Sequence, residues 1–273
     1  MDASPDDRHA GRASRRVPNT GLRRVGVGVG VAVVALGVVV LGGLVAASVL
    51  WSPTSPAGEP PVLAGRQLWG SCAAGFHARR GDTIVLTSSA HCAGEGATAY
   101  APDGRTVRGV FGPAAVLEPC EHSGHTCRPS DMNYLVLAPD QVPWGRLDQI
   151  DMGEGGIRVV ETGTAPLACE DSAVGDAVEI NGRDVYRRGT VAERGEYLHP
   201  VAADGDYFPC MIASGDVHVG VGDSGGAVLV RGLPAGVTSR SFGGLLGFTP
   251  LAEGLAALGL ELCTDPDCGV TRP

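Results

Sequence analysis

Lysine is absent from the 273 residues: all 21 basic side chains are arginine. That marks a GC-rich genome more than any mechanism. Charged residues are scarce at 19%, against 44% hydrophobic ones, a balance that excludes a disordered chain. Cysteine is missing from the first 71 residues, and helical periodicity is nearly missing before residue 251. Net positive charge is missing from the main part of the chain. Residues 1–51 set six Arg against three Asp, giving +3, whereas residues 52–273 set 15 Arg against 27 Asp plus Glu, giving −12. An acidic main domain argues against a nucleic-acid-binding role, which needs a basic face. The length allows one or two domains with an ample core.

The first 66 residues read as a tail, a span and a linker. Residues 1–24 are polar and place Arg15, Arg16, Arg23 and Arg24 just before a run of 26 uncharged residues, 25–50. That run exceeds the ~20 residues a helix needs to cross a bilayer. Arginines ahead of it predict an inside N-terminus and an outside C-terminus. Gly26 and Gly30 match a small-xxx-small pairing motif. Trp51 suits the membrane interface, so residues 25–51 are expected to be a single-pass plasma-membrane anchor and 1–24 a cytoplasmic tail. The rival is a signal peptide cut near Val45-Ala46-Ala47, which would release a secreted protein. Residues 52–61 are rich in Pro, Ser and Gly, and 52–66 are read as a linker.

The remainder is organised around Gly222-Asp223-Ser224-Gly225-Gly226. Glycines on both sides allow a tight turn that exposes a hydroxyl and turns backbone N–H groups to one side. Acyl transfer needs that pair, a nucleophile and a hole for the oxyanion. Serine also needs a base. Thr87-Ser88-Ser89-Ala90-His91-Cys92 closes one apolar run, and Asp131-Met132-Asn133-Tyr134-Leu135-Val136-Leu137 opens another. The chain order is His, Asp, Ser; an α/β-hydrolase would run Ser, acid, His. Short strands are expected at residues 83–87, 134–137, 177–180, 190–192, 227–230 and 245–248, with a turn at Asn181-Gly182. Such a pattern argues a sandwich or a barrel without choosing between them.

These stretches, with Cys72-Ala73-Ala74-Gly75-Phe76 and the run Phe248-Thr249-Pro250-Leu251 leading into an apolar helix, resemble the chymotrypsin-fold serine proteases, most of all the bacterial streptogrisin and alpha-lytic branch. The resemblance spans roughly residues 70–262. It implies an all-β fold of two antiparallel barrels, about 67–140 and 155–250, then a helix at about 250–262, within a protease domain of 67–268. It implies a serine endopeptidase: Ser224 as nucleophile, His91 as base and acid, Asp131 to orient His91, and the N–H groups of Gly222 and Ser224 as oxyanion hole. Polypeptide is the implied substrate. Ser239, Arg240, Ser241 and His218 would line the substrate site. Arg240 and Ser241 stand where the family usually has glycine or apolar residues, and Ala227 replaces the usual proline. A catalytically silent binding or sensing module on the same fold is the alternative.

In the family Asp223 is buried and needs a cation. Trypsin-like zymogens supply a newly cut N-terminus, but no Ile-Val-Gly-Gly-like start occurs here. The bacterial branch uses an internal arginine, for which Arg183 is the nearest candidate. No stretch of the sequence is read as the long pro-region that secreted streptogrisins usually carry. The pocket floor near His218 and Val219 has no acid, so Lys and Arg at P1 should be refused. Small or medium apolar P1 residues are favoured, with an acidic P1 as the alternative.

All eight cysteines lie beyond residue 71, on the exported side, and read as four disulfides. Cys72–Cys92 matches the family bridge. Cys120–Cys127 and Cys263–Cys268 would close small loops, which leaves Cys169–Cys210. The run from Cys120 to Cys127 also holds His122 and His125, ligands that zinc accepts. The spacing is cramped for one tetrahedral site, so no metal and no cofactor is expected. The loop from Cys263 to Cys268, with Asp265 and Asp267, is read as a capped surface loop.

Overall fold

The computed structural model describes residues 59–272, apart from residues 71, 118, 121–124, 184 and 199–204. The expected anchor at 25–51, the tail before it and His122 lie outside the described residues. Among the described residues no helix is long and apolar enough to cross a membrane.

Strands β1 (Gln67–Trp69) and β2 (Cys72–Ala73) form a small hairpin. The first lobe then uses β3 (His77–Arg80), β4 (Thr83–Ser88), β5 (Thr98–Tyr100), β6 (Val107–Phe111) and β8 (Asn133–Leu137), while β7 (Thr126–Cys127), just before β8, joins the sheet of the second lobe. A second hairpin, β9 (Gln149–Asp151) and β10 (Ile157–Val159), crosses to the second lobe. That lobe holds β11 (Ala177–Gly182), β12 (Val185–Leu198), β13 (Asp206–His218), β14 (Ala227–Val230), β15 (Leu233–Phe242) and β16 (Leu245–Pro250). Helix α1 (Leu251–Leu258) and β17 (Glu261–Leu262) end the chain.

The second lobe is a closed barrel. Its order is β12-β11-β14-β15-β16-β13, and β12 pairs with β13 to complete the ring, with β7 added in parallel beside β13. Closure removes the edges that an open antiparallel sheet would leave. The first lobe is a six-stranded antiparallel sheet, β17-β3-β4-β8-β6-β5, whose pairing does not close among the described residues. The expectation of two barrels holds for the second lobe alone; among the described residues the first lobe is an open six-stranded sheet. The uniformly apolar strands lie where both faces are covered: Ile84 to Ser88 of β4 are buried between β3 and β8, and all of β14 between β11 and β15.

The helix is shorter than the 250–262 expected. Leu251, Gly254, Leu255 and Leu258 face inward at the helical spacing. Gly259, at φ 62°, then ends the helix with its N–H toward the Ala256 and Leu255 carbonyls. A Cβ on Gly254 would meet Met132 Cε at 2.6 Å and Ser130 Cβ at 2.9 Å. The glycine therefore lets the helix press onto the segment carrying Asp131. Part of the segment expected as linker is core: Val62, Leu63 and Ala64 are buried, and Ala64 bridges Ile150. The four cysteine pairs are bonded as expected: Cys72–Cys92, Cys120–Cys127, Cys169–Cys210 and Cys263–Cys268.

Candidate active site

His91 rides on a single 3-10 turn, Ala90–Cys92, at the end of β4. The turn is pinned on both flanks. Cys92 is bonded to Cys72, and the buried Ser89 gives its hydroxyl proton to the Thr238 carbonyl at 2.6 Å. Asp131 sits just ahead of β8. Its backbone N–H donates to Thr249 Oγ1 at 3.0 Å, and the Ser130 hydroxyl donates to the same oxygen at 3.0 Å. Ser224 lies in the turn that feeds β14. Gly225 has φ 84°, and a Cβ there would lie 2.3 Å from Ser88 Oγ and 2.5 Å from the Ala73 carbonyl oxygen. That glycine is required both by its conformation and by the close approach of the first lobe. Ala73 N–H donates to the Ser224 carbonyl at 2.7 Å, so a first-lobe strand holds the serine's backbone directly.

The three side chains meet across the seam between the lobes. His91 Nδ1 is 2.6 Å from Asp131 Oδ2, and His91 Nε2 is 2.9 Å from Ser224 Oγ. The Ser239 hydroxyl donates to the same Asp131 oxygen at 2.6 Å, and His91 N–H donates to Oδ1 at 3.3 Å. Asp131 is 1% exposed, whereas the His91 side chain is 40% exposed. Burial works to raise the Asp131 carboxyl. The His91 hydrogen bond and charge, the Ser239 hydroxyl and the Arg240 guanidinium outweigh it and hold the group below the usual carboxylate range. A carboxylate that stays ionised at 2.6 Å fixes the imidazole with Nδ1 protonated, leaving Nε2 to accept a proton from Ser224.

Gly222 has φ 105°, and neither Gly222 N–H nor Ser224 N–H donates a backbone hydrogen bond among the described residues. The turn itself is closed by Asp223 N–H to the Gly220 carbonyl and Gly226 N–H to the Asp223 carbonyl.

Asp223 is buried and paired, but not with Arg183. Its Oδ2 lies 3.1 Å from Arg187 Nη1 and accepts from Gly220 N–H at 2.8 Å. Arg183 instead runs alongside Gly222, with Nη1 3.4 Å from the Val221 carbonyl. The register explains the change. Gly182 pairs with Val185, so Arg183, at φ 45°, takes the tight connection, and Arg187 pairs with Ile180. Asn181 and Gly182 are strand residues rather than the turn expected there. A Cβ on Gly182 would sit 2.5 Å from Asp223 Oδ1, so this glycine makes room for the carboxylate. Asn181 donates from Nδ2 to the Gly65 and Asp151 carbonyls, tying the start of the domain to the lobe junction. Sequence reasoning missed Arg187, Gly182, Asn181 and Thr249. Thr249 lies in a stretch quoted for the resemblance, which was its one signal.

Of the remaining candidates, Ser241 is turned back on its own strand end and accepts from Gly244 N–H at 2.9 Å. His218 is exposed at the end of β13, where it pairs with Leu245. Residues 217–222 and 238–244 include no acid. Arg240 is half-buried, with its guanidinium carbon 5.5 Å from the centre of the Phe208 ring and 5.9 Å from that of Tyr197. Among the described residues no group of three His, Cys, Asp or Glu side chains is placed to hold a metal ion.

No family model and no curated protein matches the sequence. Solved structures do. Thermobifida fusca protease A matches 74% of this chain and 98% of its own, with a TM-score of 0.55 at 22% identity. Cellulomonas bogoriensis chymotrypsin matches 75% of this chain and 99% of its own, with a TM-score of 0.54 at 23% identity. A glutamic acid-specific serine protease that uses a histidine triad in substrate binding matches 74% of this chain and all of its own, with a TM-score of 0.55 at 22% identity. The chain therefore has the fold of the chymotrypsin-like serine proteases, in the form seen in the bacterial streptogrisin and alpha-lytic branch.

Proposed function

We propose that the protein is a serine endopeptidase that cleaves polypeptides through an acyl-enzyme. The observation that carries this reading is the continuous line Ser239–Asp131–His91–Ser224, with contacts of 2.6, 2.6 and 2.9 Å. In the proposed reaction His91 Nε2 takes the Ser224 proton as Oγ attacks the peptide carbonyl. The oxyanion forms against the N–H groups of Gly222 and Ser224. The imidazolium, balanced by Asp131, then gives its proton to the leaving amine as the C–N bond breaks. Water activated by the same imidazole attacks the ester, His91 returns a proton to Ser224, and the acid product departs.

At the primary pocket, the acid-free segments 217–222 and 238–244 favour small or medium apolar P1 residues over Lys and Arg. The enzyme is further proposed to stand on the outer face of the plasma membrane, held by residues 25–51 behind a cytoplasmic tail. The uncharged run after Arg23 and Arg24 supports this topology, and four disulfides fit an oxidising compartment.

The test is labelling of membranes carrying the full chain with a fluorophosphonate probe, which reacts with an activated serine. Wild type should label and hydrolyse a peptide library. Ser224→Ala should do neither, with turnover down by ~10⁶ on the subtilisin precedent. Wild type that never labels would leave the silent binding module as the surviving reading.

A further inference from the structure

The strand that carries Ser239 has an open edge beside the triad. Its pairing with β14 ends at Val237, and the Thr238 N–H and carbonyl bond to Gly226 and Gly225. Beyond that point β15 pairs with β16 alone, through Arg240–Gly247, Ser241–Leu246 and Phe242–Leu245. An unpaired edge next to a nucleophile is a place where an extended peptide can add as a strand. Directly opposed residues of an antiparallel pair place their side chains on the same face. A substrate with its scissile residue beside Ser239 and Ser224 therefore sets its P2 residue against Arg240, on the face to which Arg240 points.

That face is built around a cation. Ser239 turns to Asp131, while Arg240 turns the other way and lies over two rings that are themselves a cross-strand pair, Tyr197 on β12 and Phe208 on β13. Stacking on aromatic faces holds a guanidinium in place without cancelling its charge. Arg240 has no ion-pair partner among the described residues, and its Nε is buried without a hydrogen-bond partner. The Asp131 carboxylate feels this charge from a distance, but a donor fork held by rings and engaged in no salt bridge is still matched by a carboxylate, which Arg binds at two points.

We propose that Arg240 is a specificity residue that recognises an acidic side chain at P2, so that the protease selects substrates with Asp or Glu just before the P1 residue. This rests on the endopeptidase reading above and adds the substrate class to it. The experiment uses the full chain in detergent and quenched peptides that share an apolar P1 and vary Glu against Gln at P1, P2, P3 and P4 in turn. Wild type should prefer Glu over Gln at P2 by roughly tenfold or more in kcat/KM, with the preference falling as salt rises. Arg240→Gln should bring that ratio to about one, and Arg240→Glu should turn it toward Arg at P2. Fluorophosphonate labelling of both variants reports whether Ser224 is still activated, which separates a lost contact from a lost fold. Equal Glu-to-Gln ratios at P2 in wild type and Arg240→Gln, with cleavage intact, would overturn this proposal alone. A preference that moves to P1 and survives Arg240→Gln would do the same and assign the carboxylate to His218. A wild type that neither labels nor cleaves any peptide would overturn the endopeptidase reading and this proposal together.

Discussion

Acid should unfold this domain in a window set by one buried histidine. His77 begins β3, is 1% exposed and is packed where its ring faces the backbone of Val62 and Leu147, yet neither ring nitrogen makes a hydrogen bond of normal geometry. Burial is the main cause that lowers its pKa from 6.5 to about 4. The unfolded chain thus takes up a proton near pH 6.5 that the folded chain refuses until about pH 4, so stability falls as pH falls between those values. At 1.36 kcal/mol per pKa unit the full loss is about 3 kcal/mol, of which about 2 kcal/mol is gone by pH 5. With a urea m-value of about 2 kcal/mol/M, the unfolding midpoint should drop by about 1 M between pH 7 and pH 5. Asp131 has the same sign but another window, since its depressed carboxyl loses stability only below the ordinary carboxylate range. Asp148 has the opposite sign: burial, then Asp265 and Asp267, raise its pKa, and its slope also lies near the carboxylate range. The assay is urea unfolding, followed by tryptophan fluorescence, of a chain that starts at Thr54, where the compact unit begins. His77→Leu should flatten the curve between pH 6.5 and 4.5, because leucine fills the site and takes no proton. Identical slopes for wild type and His77→Leu would refute the reasoning.

Three further outcomes are expected. Arg187→Met should leave Asp223 buried beside Gly220 without its cation, costing about 3 kcal/mol and slowing fluorophosphonate labelling, while Arg187→Lys restores part of both; unchanged labelling in Arg187→Met would remove Arg187 from this role. The anchor should stay on the chain, so that mass spectrometry finds residues 25–51 in the membrane fraction; a mature N-terminus near Ser48 in the medium would show a cleaved signal instead. In a P1 series of Ala, Leu, Glu and Arg, Arg should be cleaved worst; efficient cleavage after Arg would mean that a carboxylate outside residues 217–222 and 238–244 lines the pocket.

Much of the chemistry was legible because short motifs report it. The turn around Ser224 and the runs ending in His91 and opening at Asp131 were readable from residue type and order, and the structure sets their side chains within hydrogen-bond distance. The four bridges were legible only with the family resemblance, which supplied Cys72–Cys92; two further pairs close tiny loops, and the fourth was what remained. Strands β4, β8, β14 and β16 were visible as apolar runs, since each is buried along most of its length. The long strand β12 was caught only at its centre, because most of its 14 residues face solvent and carry Arg, Glu and Gly. Arg187 was hidden for a related reason. Arg183, Arg187 and Arg188 all lie within one hairpin, and only the register, Ile180 against Arg187, selects among them. The core role of Val62 to Ala64 was masked by the prolines before them, which read as spacer until Ala64 is seen bridging Ile150.

The Arg187–Asp223 pair also bears on timing. A cation supplied by a neighbouring strand is in place as soon as the barrel closes, so the turn that carries Ser224 needs no later cut elsewhere in the chain to take its working shape. Under the proposed function, such an enzyme is switched on by its own folding. Under the same proposal, control over what it destroys can rest on where it is held and on which sequences can lie along the edge of β15.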